Sequence, residues 1–172
     1  MKTQRILTTA LRIILFLLIA AAAAAVLFSR TLRSPKMIAL PEEAAGLALN
    51  RSLSGQEAAA QVNSVHGEDF TLTSAQVGYY GADEMVVIRA GGTPFAGATG
   101  EMMAIITGNL NGAASALTPV SERRDRGRTI YMLADEADQT HFYFQSERYL
   151  VWLSGPSEQA EAALKQALVY FP

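Results

Sequence analysis

The sequence predicts an α+β fold, an antiparallel sheet with helices packed on one face, preceded by one N-terminal transmembrane or signal helix. Three observations carry this prediction: an apolar stretch over Leu11–Phe28, several runs of alternating side chains joined by short turns, and three segments with apolar residues at helical spacing. Because the turns are too short for crossover connections, neighbouring strands should pair antiparallel. The order of elements favours an α+β rather than a parallel α/β arrangement.

The apolar stretch gives the first element and the domain boundaries. Ile13–Phe28 contains no polar side chain. As a helix it covers roughly 24 Å of a hydrocarbon core about 30 Å thick, and Arg12 can extend it because an arginine near a helix end snorkels to the interface. We predict a basic leader over residues 1–10, a transmembrane signal anchor over residues 11–28, a linker over residues 29–41 and an extracytoplasmic α+β domain over residues 42–172.

A cleaved signal peptide is the alternative interpretation of the same stretch. Ala-x-Ala cleavage patterns occur throughout Ala20–Ala25. Cleavage after Ala25 would leave the apolar Val26–Phe28 at a new N-terminus, which favours the anchor. Basic residues are almost balanced between the two flanks of the stretch, so the positive-inside comparison does not set its orientation. A ten-residue leader ahead of the apolar segment is typical of Sec-targeted proteins, which favours a cytoplasmic N-terminus with the domain outside, in a single-pass protein of the cell membrane. Cleavage would instead give a secreted domain.

Charge and cysteine content exclude several function classes. Residues 1–36 contain six basic and no acidic side chains, whereas residues 37–172 contain eight basic and sixteen acidic ones, a net charge of −8. Such an acidic domain argues against nucleic acid as a partner and against lying flat on an anionic membrane. The absence of cysteine excludes disulfides, thiol catalysis and cysteine metal sites. No cofactor is predicted.

Three helices are predicted within the domain. The first follows a capping box at Ser54–Glu57, runs to about Val65 and stops at Gly67. The second spans Thr99 to about Asn109. The third begins at Ser157, after Pro156, where apolar side chains recur at helical spacing: Ala160, Ala163, Leu164, Ala167, Leu168 and Phe171.

The remaining segments predict strands in hairpins. The predicted strands lie near residues 46–50 and over residues 70–80, 85–90, 117–124, 128–134, 141–145 and 148–154. Phe142 and Phe144 should share one face of the sheet, and His141, Tyr143 and Gln145 the other. Two helix-then-hairpin units, Ser54–Ala90 and Thr99–Ala134, suggest a duplicated βαββ half.

Few residues carry a chemical signal. His66 and His141 have no metal-ligand spacing, and His66 at a helix end is expected to act as a cap favoured by the helix dipole. The acidic group Asp135, Glu136 and Asp138 lacks the frame of a calcium loop and should be a solvated turn. The glycine-rich Gly91–Gly100 lacks a phosphate-binding motif, so a structural role is expected.

The residues that we select as candidate partner or ligand contacts are few. The domain has one basic cluster, at a predicted turn: Arg123, Arg124, Arg126 and Arg128. Guanidinium groups bind carboxylates and phosphates, although they also keep a hairpin tip soluble. His141 and Tyr143, on the more polar face of their strand, complete the set of contact candidates.

The sequence therefore predicts a non-enzymatic, membrane-tethered binding or accessory module outside the cytoplasm. Its expected partners are the lipid bilayer, through residues 11–28, and another protein, through the sheet face opposite the helices. A small-ligand or lipid-binding domain with a cleft between helices and sheet is the second interpretation. The third is an enzyme with an unrecognised site, which requires His66, His141 and the arginine cluster to converge in space.

Overall fold

The computed structural model describes residues 2–110 and 116–171, with side chains over residues 12–29, 34–110 and 116–171. The side chains of the predicted leader, of Leu11 and of residues 30–33 lie outside this description. The chain divides into two compact units, Met1–Arg33 and Ser34–Pro172.

The first unit is a single helix, α1 (Lys2–Arg33). Its segment Arg12–Ser29 is long and apolar enough to cross a membrane, and none of that segment is buried. This confirms one N-terminal apolar helix. The helix ends at Arg33, two residues before Pro35, because a proline disfavours helical backbone at the residue before it.

The second unit is an eight-stranded sheet with three helices, which confirms the α+β class. In chain order its elements are β1 (Glu43–Ala44), β2 (Leu47–Ser54), α2 (Gly55–His66), β3 (Ser74–Tyr80), β4 (Val86–Gly92), α3 (Ala96–Leu110), β5 (Thr118–Asp125), β6 (Arg128–Ala134), β7 (Thr140–Ser146), β8 (Tyr149–Gly155) and α4 (Ser157–Tyr170). The strands lie in the order β1-β2-β3-β4-β8-β7-β6-β5, and every neighbouring pair is antiparallel.

The helices cover both faces of the sheet, which differs from the prediction of helices on one face. Helices α2 and α3 pack with Trp152 and Tyr143, whereas α4 packs on the opposite face with Phe142 and Phe144. The physical reason lies in β8, where alternate residues on both sides are apolar and buried, so each side requires a cover. The face that we expected to be open for a partner is therefore occupied by α4.

Residues 35–41 belong to the domain, although the sequence predicts a linker there. Lys36 donates its backbone N–H to the carbonyl of Thr73 at 2.9 Å, and its own carbonyl accepts from Ala75 at 2.9 Å. Ile38 is buried in the core beneath α4. The Tyr80 hydroxyl then donates to the carbonyl of Pro41 at 3.0 Å. These contacts fix the segment along β3.

The structure differs from the sequence predictions at the start of α2 and in the suggested duplication. Ser54 occupies the N-cap position of α2, but its side chain makes no capping hydrogen bond. The stop at Gly67 is confirmed, with a left-handed backbone at φ 65°. The suggested duplication is absent from the topology: α2 links the neighbouring strands β2 and β3, whereas α3 links β4 to β5, which three other strands separate.

A close approach at the end of β8 makes glycine necessary at position 155. A Cβ atom there would lie 2.7 Å from the carbonyl oxygen of Met85 and 3.2 Å from Cγ2 of Val86. We expect Gly155→Ala to lower the free energy of unfolding by about 1–3 kcal/mol, because a backbone atom cannot move aside as a side chain can. Urea unfolding followed by Trp152 fluorescence measures this loss.

Gly108→Ala is the matched control for that substitution. No atom lies within 4 Å of a Cβ at Gly108, which is exposed on α3. Alanine should stabilise the helix there by up to about 1 kcal/mol. Equal effects of the two substitutions would contradict the steric argument.

Candidate functional site

An aromatic row crosses three strands on the face covered by α2 and α3. Register places Tyr131, Tyr143 and Trp152 side by side on β6, β7 and β8. The Tyr131 and Tyr143 rings stack at 4.7 Å between centroids, and the Tyr143 and Trp152 rings at 5.0 Å. Such stacked pairs add about 0.5–1.5 kcal/mol each to the stability from burial, so the row is a rigid core of this face.

Both histidines of the chain meet at the Trp152 ring. Edge-to-face contacts join Trp152 to His66 at 5.0 Å and to His141 at 5.9 Å between ring centroids. Thus two of the groups required for a catalytic centre do converge, on a tryptophan that is 1% exposed.

Hydrogen bonds fix the tautomer of His141. Trp152 donates from Nε1 to Nδ1 of His141 at 3.3 Å, and Nε2 of His141 lies 3.0 Å from Oδ2 of Asp135. Because an indole nitrogen can only donate, Nδ1 must be the unprotonated nitrogen and Nε2 carries the proton towards Asp135. Both ring nitrogens are therefore engaged.

Asp135, His141 and Ser154 are the residue types of a hydrolase triad, but Ser154 does not have the hydrogen bond that a triad requires. It lies opposite His141 in the β7–β8 register. Its hydroxyl instead accepts a hydrogen bond from Nη1 of Arg89 at 3.3 Å. A triad requires the histidine to accept the serine proton, and His141 has no nitrogen left to do so.

His66 is buried rather than an exposed helix cap, which corrects the expectation of a charged cap. It is 8% exposed, and its Nδ1 has no hydrogen-bond partner. Burial and then the charge of Arg89 lower the pKa of His66 from 6.5 to about 4. His66 is consequently neutral at pH 7, because its surroundings disfavour the imidazolium more than the helix dipole favours it.

Arg89 is a basic residue in the middle of this sheet face. It sits beside Trp152 in the β4–β8 register, and its Nε is buried without a partner. No acidic side chain forms a salt bridge with it within residues 34–110 and 116–171. Burial lowers its pKa from the usual value, although the group stays charged at neutral pH. Arg89 thus keeps a positive charge close to His66.

An open groove lies at the outer end of the aromatic row, between α3 and the β5–β6 hairpin. We call it the Tyr131 groove, because the half-buried Tyr131 ring separates its two hollows, of about 240 and 480 Å³. The smaller hollow is lined by Thr107, Leu110, Pro119, Val120, Ser121, Glu122, Tyr131, Met132, Leu133 and Tyr143. The larger hollow is lined by Met103, Gly127, Arg128, Thr129, Tyr131, Gln145 and Glu147.

The residues that the sequence analysis selected as partner or ligand contacts lie in different parts of the domain. Tyr143 is 1% exposed beneath α3, with its hydroxyl 3.2 Å from that of Thr107, so its ring is not presented at the surface. His141 is half-buried beside Trp152. The arginines lie on the β5–β6 hairpin, away from both histidines, so the three-part convergence required for the enzyme interpretation is not observed.

Two of the four arginines turn towards the α4 face. Arg123 forms an ion pair with Glu161 of α4 at 2.6 Å. Arg128 donates to the carbonyl of Leu168 at 2.9 Å and lies over the Phe144 ring. Arg124 and Arg126 are exposed near the hairpin tip, and no described residue pairs with either. Only this second pair is open to a partner.

The acidic turn and the glycine-rich segment have structural roles. Oδ1 of Asp135 accepts the backbone N–H groups of Ala137 and Gln139, each at 2.9 Å, so the carboxylate organises its own turn. Hydrogen bonds from His141 and from the backbone lower its pKa. A Cβ at Gly91 would lie 3.1 Å from Val62, so glycine allows α2 to approach the sheet. Among the residues described, no cluster of three or more metal-ligating side chains occurs.

Sequence patterns did not reveal Arg89 or the Tyr131 groove. The aromatic residues were visible as alternating strand positions, but register across three strands was needed to align them. A charged residue within the apolar run of β4 is the one local signal that could have identified Arg89. Comparisons of the chain with protein families, curated proteins and solved structures found no match.

Proposed function

We propose that this protein is a membrane-anchored binding module, outside the cytoplasm, that takes an extended segment of another protein at β5 and the Tyr131 groove. The observation that carries the proposal is the open edge of the sheet at β5, next to that groove.

The anchor is supported by the continuity of α1. Its apolar segment runs without interruption to Ser29, and the side chains of Val26, Leu27 and Phe28 are each at least half exposed. A protein in water would expose this apolar surface at considerable cost, whereas a bilayer would cover it. The alternative of a cleaved signal peptide predicts a mature chain that lacks most of α1.

N-terminal sequencing of the mature protein separates these two forms. Retention of the apolar segment, with the protein resistant to carbonate extraction from membranes, is expected for an anchor. A new N-terminus within or just after Ala20–Ala25, with release into the soluble fraction, would establish the secreted alternative. Because the chain has no cysteine, single-cysteine variants such as Asp83→Cys then report by labelling on which side the domain lies.

The partner site is supported by the exposure and composition of β5. All eight of its residues are exposed, and among residues 2–110 and 116–171 it pairs with β6 alone. A strand in this position can accept a further strand through its unpaired backbone groups. Pro119 and the register shift between Pro119 and Ser121 restrict this pairing to part of the strand, as is typical of edges that avoid aggregation. The exposed Val120 and the Tyr131 ring provide the apolar surface for partner side chains.

A photo-crosslinking amino acid at position 120 tests the partner site. We expect it to give an adduct of defined mass in intact membranes, and the same amino acid at Ala104, exposed on α3, to give none. Tyr131→Ala should weaken this adduct about tenfold, since an aromatic anchor contributes on the order of 1–2 kcal/mol to an interface. Tyr131→Phe should retain it, because the ring rather than the hydroxyl makes the contact.

Equal adducts at positions 120 and 104 would rule out a specific site at β5. Loss of the adduct in both Tyr131 variants would indicate a hydroxyl contact in place of an apolar one. Adduct formation unaffected by either variant would place the partner away from the Tyr131 groove. Trp152 fluorescence of each variant checks that the domain is folded.

A further inference from the structure

The outer side of the edge strand β5 is exposed. All of its residues are exposed, and within residues 2–110 and 116–171 no strand pairs with the side that faces away from β6. The register with β6 is regular from Ser121 to Asp125, beyond the shift that begins at Pro119. This regular segment therefore offers backbone groups that a further strand can reach.

The turn between β5 and β6 determines which backbone groups of β5 point outward. Its two residues, Arg126 and Gly127, both have a left-handed backbone, at φ 48° and 77°. In a two-residue hairpin of this type, the strand residues on either side of the turn form a hydrogen-bonded pair. Because hydrogen-bonded and non-hydrogen-bonded pairs alternate along an antiparallel ladder, the N–H and C=O groups of Glu122 and Arg124 point away from β6.

The two outward-facing residues carry opposite charges on the same face of the sheet. Glu122 lies opposite Tyr131 and Arg124 opposite Thr129 in the register with β6, so both side chains lie on the face that α3 covers. Both are exposed, and neither forms a salt bridge within residues 34–110 and 116–171. Charges of one sign would repel a second copy of this edge, whereas an acidic and a basic residue are complementary to the same pair running in the opposite direction.

Charge selects one antiparallel register between two copies of β5. A register centred on residue 123 places Glu122 of each copy opposite Arg124 of the other, and each such pair can exchange both of its backbone hydrogen bonds. A register centred on residue 122 would place Glu122 opposite its own copy, and one centred on residue 124 would do the same with Arg124. Like charges directly opposite each other destabilise a sheet, so the register centred on residue 123 is favoured.

The other residues of the segment are compatible with this register. Arg123, at the centre, would face its own copy on the α4 side, where each guanidinium group is already paired with Glu161 at 2.6 Å. Ser121 would lie opposite Asp125, as a hydroxyl donor to a carboxylate. Pro119 has no N–H to donate, but it lies outside the segment that would pair.

We infer that β5 pairs with β5 of a second copy of this chain, antiparallel and centred on Arg123, and that this self-pairing closes the binding edge until another protein displaces it. This inference rests on the proposed function, because both strands would use the same backbone groups of β5, and it adds a regulation of that site. The dimer is symmetric, since the same surface is used on both copies. Its small contact area predicts a weak, reversible dimer rather than an obligate one.

The absence of cysteine allows one introduced thiol in the full chain to test the register. Opposite residues of a non-hydrogen-bonded antiparallel pair have Cα atoms about 4.5 Å apart, which is within the range for a disulfide. We expect Arg123→Cys, in membranes oxidised with copper phenanthroline, to form a disulfide-linked dimer. Asp125→Cys, exposed on the same face of the same strand, is the matched control. Its copy would lie roughly 14 Å away, so its dimer should be at least about fivefold less abundant.

Charge reversals separate this register from chance contact. In the Arg123→Cys background, Arg124→Glu or Glu122→Arg alone places like charges opposite each other and should lower the disulfide-linked fraction at least about threefold. The double exchange restores opposite charges and should recover the dimer, as should a mixture of the two single reversals. Lys165→Glu, on the exposed side of α4, should have no effect. Trp152 fluorescence checks that each variant is folded.

Equal disulfide yields at positions 123 and 125, or a double exchange that fails to restore the dimer, would overturn the self-pairing. The photo-crosslink at position 120 distinguishes this failure from failure of the proposed function. An adduct with another protein, without the disulfide at position 123, would support the proposed function and overturn the self-pairing. A disulfide-linked dimer whose adducts at position 120 contain only copies of this chain would do the reverse.

Competition between the two pairings tests the closure of the edge. We expect the disulfide-linked dimer to lose the adduct with the other protein and to regain it on reduction, because one strand occupies the outer side of β5 at a time. A linked dimer that keeps this adduct would overturn the closure.

Discussion

Replacement of Trp152 by alanine should lower the free energy of unfolding by about 3–5 kcal/mol, the largest effect expected for any single substitution in this protein. Trp152 is 1% exposed and stacks on Tyr143, and both histidines contact its ring. Alanine would leave a cavity at the centre of the face covered by α2 and α3. For a domain of ordinary stability this is a large fraction of the total. Urea unfolding of the full chain in detergent, followed by circular dichroism, measures the loss.

Two further substitutions separate the causes of that loss. Trp152→Phe keeps an aromatic ring but removes the N–H that donates to Nδ1 of His141, so a smaller loss is expected. Phe95→Ala removes an aromatic side chain that is 63% exposed and should change stability by less than about 0.5 kcal/mol. Comparable losses for Trp152→Ala and Phe95→Ala would show that burial of Trp152 does not determine the stability of the domain.

Stability should fall in mild acid because of His66. Its pKa is about 4 in the folded protein, against 6.5 for an ordinary histidine. Between these values the unfolded chain binds a proton that the folded protein does not bind. The free energy of unfolding should therefore decrease as the pH falls from about 6.5 to about 4, by on the order of 3 kcal/mol from this residue. Trp152 is the only tryptophan, so its fluorescence reports unfolding of the domain at each pH.

His66→Phe isolates this contribution from that of the carboxylates. Phenylalanine can keep the edge contact with Trp152 but cannot take up a proton. The decrease between pH 7 and pH 4 should be smaller in the variant than in the wild-type protein, while Asp135 and the other acids contribute equally to both. Parallel stability curves for the two proteins would contradict a depressed pKa at His66.

Local sequence patterns predict secondary structure correctly wherever a residue's neighbours along the chain determine its backbone conformation. The ends of α4, the alternation of Phe142 and Phe144 with Tyr143, and the stop of α2 at Gly67 all follow from spacing and backbone preference. The same reasoning failed for residues 35–41, which have no periodicity of their own. Their structure comes from pairing with β3, a partner more than thirty residues away in the chain.

In the candidate site, too, some features follow from local sequence patterns and others depend on long-range packing. The basic cluster from Arg123 to Arg128 was visible as a run of charge, but its separation into paired and unpaired arginines depends on where α4 lies. Tyr143 was selected as a contact candidate because it lies on the more polar face of a strand with alternating side chains. In the structure, helix α3 covers it. Arg89 and His66 are perturbed by burial, which no short stretch of sequence reveals.

The apolar N-terminal helix, the α+β class, the antiparallel hairpins and the charge of −8 on residues 37–172 all follow from the sequence. These properties depend on composition and on periodicities of a few residues. The placement of helices on both faces of the sheet and the meeting of both histidines at Trp152 appear in the tertiary structure alone. The reason is that strand order and helix placement arise from long-range packing, and these bring together side chains that are distant in the chain.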